Sequence, residues 1–181
     1  MNLARNVSGF FVKAVTDMFL LGNAMSLIGC VLMVAIGFVR RKDRVLSLQC
    51  VQFGFLAMGN LILGAVSGFI SGMISILRKL IFPRVKGSVW LKLLFIGAQI
   101  VLTLVAGWAG PISLLPLGAG VLFTWFIDTR SDAQLKAVII AAQVLWAFYD
   151  WHYRNFVAFT FDILTILSNI AGIVMLKREE Q

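Results

Sequence analysis

A carboxyl group at position 162 interrupts one of the most apolar stretches of the chain, NFVAFTFDILTILSNIAGIV. A charged side chain deep in hydrocarbon costs about 2.5 to 3.5 kcal/mol, so a proton, a polar partner or a ligand must offset it. Thr165 and Asn169 follow Asp162 at i+3 and i+7, and on a helix the three share one face. Gln143, Trp146 and Asp150 repeat that spacing one apolar run earlier, adding an amide, an indole ring and a second carboxyl. Asn60, preceded by Gln49 and Gln52, brings amides to an earlier run. An aromatic face with a few directed hydrogen-bonding groups suits a sugar, a nucleoside or a similar polar solute. The competing use of either stripe is hydrogen bonding between helices. Ser67, Gly68, Ser71, Gly72 and Ser75 recur at four-residue intervals, the pattern of a face on which helices approach closely.

Enzyme chemistry finds little to work with. His152 is the single histidine, which removes multi-histidine metal sites, and no glycine-rich phosphate loop occurs. No enzymatic activity, cofactor or metal is expected. Cys30 and Cys50 both lie in apolar runs, where cysteine behaves as a small hydrophobe. Asp17, Asp43, Asp128, Asp132, Glu179 and Glu180 fall in flanks and connections and are expected to be solvated, Asp128 and Asp132 around Arg130.

The elements that must carry these residues follow from composition. At 60% hydrophobic and 13% charged, with mean hydropathy +0.94, the 181 residues are too apolar for a water-soluble fold. The runs predict seven transmembrane helices over about 21–39, 45–63, 66–82, 90–108, 111–127, 134–150 and 155–176. Ahead of them, Phe11, Val15, Met18 and Phe19 oppose Arg5 and Lys13, which predicts an amphipathic interfacial segment over 1–20. The net charge of +8 sits in clusters between apolar runs, which argues against nucleic acid as a partner and for a topology signal. Seven spans put Arg40, Arg41, Lys42, Arg44, Arg78, Lys79, Arg84, Lys86, Lys92, Arg130, Lys136, Lys177 and Arg178 on one side. Only Arg5, Lys13 and Arg154 fall on the other. The amino terminus is therefore expected outside and the carboxyl terminus in the cytoplasm. Trp90, Tyr149, Trp151 and Tyr153 fall near inferred surfaces, as interfacial belt residues do.

Shifting the chain by ninety positions lays 21–80 on 111–170 without a gap. The identities include Leu27 with Leu117, Arg40 with Arg130, Ala57 with Ala147, Phe69 with Phe159 and Ile76 with Ile166; Asn60 falls on Asp150, and Gly72 on Asp162. The plan is thus an all-α membrane protein with seven transmembrane helices in a 3+1+3 arrangement of two parallel triple-helix repeats. The repeats cover 21–82 and 111–178, with a linker and fourth helix over 83–110. Such parallel repeats serve small-solute carriers, with a site between the halves.

The strings QCVQFGFLAMGNLILGAVSGFISGMISILRKL and VLWAFYDWHYRNFVAFTFDILTILSNIAGIV resemble the two repeat cores of the YgjV-like family of bacterial inner-membrane proteins, over roughly 21–178. The resemblance implies a multi-pass inner-membrane location. More distantly, the plan is similar to the SWEET sugar transporters and the PnuC vitamin-precursor transporters. SWEET proteins carry hinge prolines on the first two helices of each repeat. This chain has only Pro83, Pro111 and Pro116, with Ser26 opposite Pro116, so symmetric rocking is not implied. The expected partners are the lipid bilayer and a small polar solute such as a sugar, nucleoside or vitamin precursor. A homodimer is permitted but not required, and a scaffold or regulator of a partner protein is the alternative to a transporter.

Overall fold

The computed structural model describes residues 2–36, 42–82, 85, 88–129 and 131–179. Arg40, Arg41, Pro83, Arg84, Lys86, Arg130 and Glu180 lie outside them, as do the side chains of Arg5, Phe11, Lys42, Asp43, Asp132, Lys177 and Glu179. Among the described residues the chain is all-helical: α1 (Asn2–Ile36), α2 (Lys42–Ile62), α3 (Val66–Ile81), α4 (Val89–Ala106), a 3-10 turn (Pro111–Ser113) continuing into α5 (Leu114–Trp125), α6 (Asp132–His152) and α7 (Phe156–Glu179).

Three stretches are long and apolar enough to cross a membrane by length and composition: Val12–Ile36, Val89–Ala106 and Phe156–Met175. Ser47–Ile62 and Pro111–Trp125 are shorter apolar helices. At 1.5 Å per residue the 16 residues of α3 reach about 24 Å, short of a full hydrocarbon core. The segment expected to be interfacial and the first span are carried by one helix, since α1 runs unbroken from Asn2.

The packing is inverted relative to a soluble bundle. Ser26, Ser67, Ser71, Gln99, Thr103, Ser113 and Thr124 are buried, whereas Leu94, Val105, Phe148 and Leu164 face outward. Small and polar contacts between helices, with large aliphatic groups turned away, are what hydrocarbon surroundings select. Helices α1, α2, α3, α5, α6 and α7 each pack on the next, and α7 packs back on α1, closing a ring. Helix α4 lies against α3 and α5. It is held there by Gln99, whose Nε2 donates to Ser71 Oγ at 2.9 Å and to the Pro116 carbonyl at 3.2 Å. An apolar cluster of Ile70, Ile74 and Phe95 completes the α3–α4 contact. Asn23 of α1 closes the ring at α7: its Oδ1 accepts the Val157 N–H at 3.3 Å and its Nδ2 donates to the Arg154 carbonyl at 3.2 Å.

Two turns share one design. After α2, the amides of Leu63, Gly64 and Ala65 donate to the carbonyls of Gly59, Leu61 and Asn60. After α6, those of Tyr153, Arg154 and Asn155 donate to Tyr149, Trp151 and Asp150, each ninety positions on. Both turns pass through the left-handed region at their middle residue, Gly64 at φ 78° and Arg154 at φ 57°. Glycine reaches that region without strain, while an arginine there pays roughly 1 kcal/mol. Arg154→Gly is therefore expected to raise stability by about 1 kcal/mol in detergent unfolding, because the carbonyl that Asn23 binds is retained.

Candidate functional site

The ring of six helices surrounds a cavity of about 320 Å³, at the lower end of the range of small-molecule sites. Six of the seven candidate residues line it: Asn60 on α2, Gln143, Trp146 and Asp150 on α6, and Asp162 and Thr165 on α7. Asn169 is not on that wall. It is half-buried, and its Nδ2 donates to the Thr165 carbonyl of its own helix at 2.8 Å. Thr165 likewise turns its hydroxyl to the Phe161 carbonyl, at 2.8 Å, so the stripe satisfies much of its polarity within α7.

The carboxyl of Asp162 is 8% exposed. Its Oδ1 accepts from Gln143 Nε2 at 3.1 Å, and among the described residues no N–H or hydroxyl donor reaches its Oδ2. Asp150, 3% exposed, lies close enough to interact with it directly. The two acids thus form a buried pair near the α2–α3 and α6–α7 turns. Asn155 organises this end from a position the sequence does not single out. Its Oδ1 accepts the Ala158 N–H at 3.4 Å, capping α7, while its Nδ2 donates to Asn60 Oδ1 at 3.3 Å and reaches Asp150 Oδ1 at 3.5 Å.

Tyr149 requires a correction. It is fully buried and so does not serve as a belt residue. Its hydroxyl accepts the Gly68 N–H at 2.7 Å and shares a hydrogen bond with Ser67 Oγ at 2.8 Å. Gly68 is needed for that approach: a Cβ there would stand 2.7 Å from the tyrosine ring. Trp90 and Trp151 do face outward. Gly72, expected across from Asp162, shares the cavity wall with it, while its missing Cβ is turned toward Ala57.

At the far end of the same cavity stand two cations that sequence reasoning assigned to topology. Arg78 is 6% exposed. Its Nη1 donates to Thr124 Oγ1 at 2.8 Å and to the Gly120 carbonyl at 3.2 Å, its Nη2 donates to Ser75 Oγ at 3.3 Å, and the group lies over the Phe123 ring. Lys79 donates to Gln49 Oε1 at 2.9 Å and lies over Phe53. Among the described residues neither cation has a carboxylate partner; the ion pair found there joins Lys92 to Asp128 at 2.7 Å. Asp128, expected to be solvated, is exposed in that pair. Cys30 lines the cavity, and both cysteines are free.

A family model described as a bacterial inner membrane protein, Imp-YgjV, matches residues 20–180. Searches of curated proteins and of solved structures return no match.

Tyr149 is the interhelical tie that a single atom can test. Tyr149→Phe keeps the ring against Trp146 and Tyr153 but strands the Gly68 N–H near the start of α3. It is expected to destabilise the detergent-solubilised protein by about 1 to 3 kcal/mol, read from thermal unfolding.

Proposed function

The chain belongs to the Imp-YgjV family of bacterial inner membrane proteins, and from that premise we propose that it is a transporter or facilitator of a small polar solute, with its site in the central cavity. The observation that carries the reading is the cavity itself, walled by all six ring helices and lined by Asn60, Gln143, Trp146, Asp150, Asp162 and Thr165. A helix bundle packed only for stability has no need to keep two carboxyls beside an interior space, since buried ionisable groups are costly unless used.

A 3+1+3 arrangement of seven membrane helices fits this reading. Its support is the pair of turns bonded alike at an interval of ninety residues, and the equal length of α2 and α6, 21 residues each. Helix α4 then acts as the linker that restores the orientation of the second triplet. The halves are joined by hydrogen bonds toward both ends of the cavity. Asn60–Asn155 and Ser67–Tyr149 lie near the turns, and Arg78 reaches Gly120 and Thr124 at the other end. Alternating access would open one set while the other holds. Ser26 standing ninety positions before Pro116 makes the halves chemically unequal, so opening need not be symmetric. The amino terminus is assigned outside and the carboxyl terminus to the cytoplasm from the charge asymmetry. No catalytic step is assigned to the cavity.

A second reading, a non-transporting scaffold or regulator, draws on one observation. Thr165 and Asn169 bond their own helix, and Gln143 bonds Asp162, as interhelical and intrahelical glue would.

The two readings separate on ligand-dependent stability. Purified wild type and Asp162→Asn are heated in the presence of sugars, nucleosides, vitamin precursors and amino acids. A bound solute at a hundredfold excess over Kd stabilises the folded state by about 2.7 kcal/mol. Transport predicts a compound that raises the Tm of the wild type and loses that effect in Asp162→Asn. Stabilisation by no compound, with the variant merely less stable, favours the scaffold.

A further inference from the structure

The cavity is electrically polarised along its length, and from this we infer that its solute is a zwitterion, holding a cationic amine against Asp150 and Asp162 and an anionic carboxylate against Arg78 and Lys79. The inference rests on the reading of the cavity as a solute site and names the chemistry of what enters it.

At the turn end, Asp162 is a buried carboxyl on the cavity wall that lies within hydrogen-bonding reach of the Asp150 carboxyl and whose Oδ2 receives no N–H or hydroxyl donor among the described residues. Asp150 stands beside it, within direct interaction range. Two adjacent carboxyls without a cationic side chain favour a ligand that brings N–H donors and positive charge. At the opposite end, the buried Arg78 spends its described hydrogen bonds on Gly120, Thr124 and Ser75, all uncharged groups. A guanidinium carries five N–H donors in a planar fork that matches a carboxylate, and burying its charge without a counterion is unfavourable. Lys79, next in the chain and also on the wall, adds a second positive charge there.

The two ends do not satisfy each other: among the described residues no ion pair joins Asp150 or Asp162 to Arg78 or Lys79. Asp162 stands six residues past the start of α7 and Arg78 twelve past the start of α3. The starts of these helices are level, because Asn155 ahead of α7 bonds Asn60, whose carbonyl accepts the Ala65 N–H ahead of α3. The difference of six residues is about 9 Å of helix rise. A solute that bridges them needs its charges several ångströms apart, and the aromatic and aliphatic wall between, with Trp146, Leu56 and Phe161, suits an apolar spacer.

The test uses the full-length protein in detergent and reads Tm and equilibrium binding. The probes are glycine, 4-aminobutyrate, 6-aminohexanoate and 8-aminooctanoate, beside the n-alkylamines and n-alkylcarboxylates of the same lengths and a panel of neutral sugars and nucleosides. The expected result is that an ω-amino acid of intermediate length stabilises the protein more than the matching amine and carboxylate together. Arg78→Gln and Asp162→Asn should each weaken its binding at least tenfold, with Arg78→Lys recovering part of the loss. Should Arg78→Gln fail to fold through its lost contacts with Gly120 and Thr124, Lys79→Gln takes its place, with weaker binding of the ω-amino acid expected. Equal stabilisation by a plain amine or carboxylate, or undiminished ω-amino acid binding in the folded variants, overturns the zwitterion. Stabilisation by neutral sugars or nucleosides alone also overturns it and leaves the transporter reading intact. A protein that responds to no probe overturns both.

Discussion

In hydrocarbon a polar group has no water to fall back on, and every N–H, carbonyl and ionisable side chain placed there must be satisfied by the protein or its ligand. This chain meets the constraint by turning its polarity inward. Serines, threonines and amides form the contacts between helices, and valines, leucines and phenylalanines face out. The backbone is satisfied within helices and at two turns that reuse one hydrogen-bond pattern. Side-chain polarity is satisfied at the junctions: Asn23 between α1 and the α6–α7 turn, Tyr149 against α3, Gln99 between α4 and its neighbours.

The ionisable groups left over collect on one surface, while Ser26 Oγ and Thr103 Oγ1 stay buried elsewhere without a hydrogen bond among the described residues. Asp150, Asp162, Arg78 and Lys79 all border the same interior space, acids toward one end and bases toward the other. Among the described residues no salt bridge joins the two sets. Their charge must be met by protons, water or a solute, which is why the cavity reads as a place where something binds. The walls of that space are tied by hydrogen bonds at both ends, since Arg78 also holds α3 to α5 while Asn155 and Tyr149 hold α6 and α7 to α2 and α3.

Much of this was legible in the sequence where charge or a chain break punctuates an apolar run. Helices α2 to α7 begin and end close to the expected positions because clusters such as RRKDR interrupt hydropathy sharply, whereas α1 starts at Asn2 and not near position 21. The stripe of Gln143, Trp146 and Asp150 was legible because helical spacing puts those groups on a common face, and Asp162 because a carboxyl interrupts an apolar run. Asn155 was not, since a turn residue has no periodicity to betray it, and its cap on α7 appears only when the turn is built. Arg78 and Lys79 were counted with the cytoplasmic charges although they fall within the apolar run 66–82. The rule for intramembrane ionisable residues would have flagged them as it flagged Asp162. Tyr149 was drawn to the membrane surface by its aromatic neighbours; its partner Gly68 was visible as part of a small-residue stripe, but the pairing depends on how α3 and α6 approach.

A solute site between the helices requires an aqueous chamber and not a packed core, and Cys30 reports on it from the cavity wall. In a Cys50→Ser background, membranes would be treated with a small charged methanethiosulfonate reagent and labelling of Cys30 followed by mass. A water-filled chamber predicts modification of the folded protein, with a cationic reagent reacting faster than an anionic one because Asp150 and Asp162 lie near. A Cys30 that reacts only after the protein is unfolded would rule out the aqueous chamber and leave the polar centre as packing.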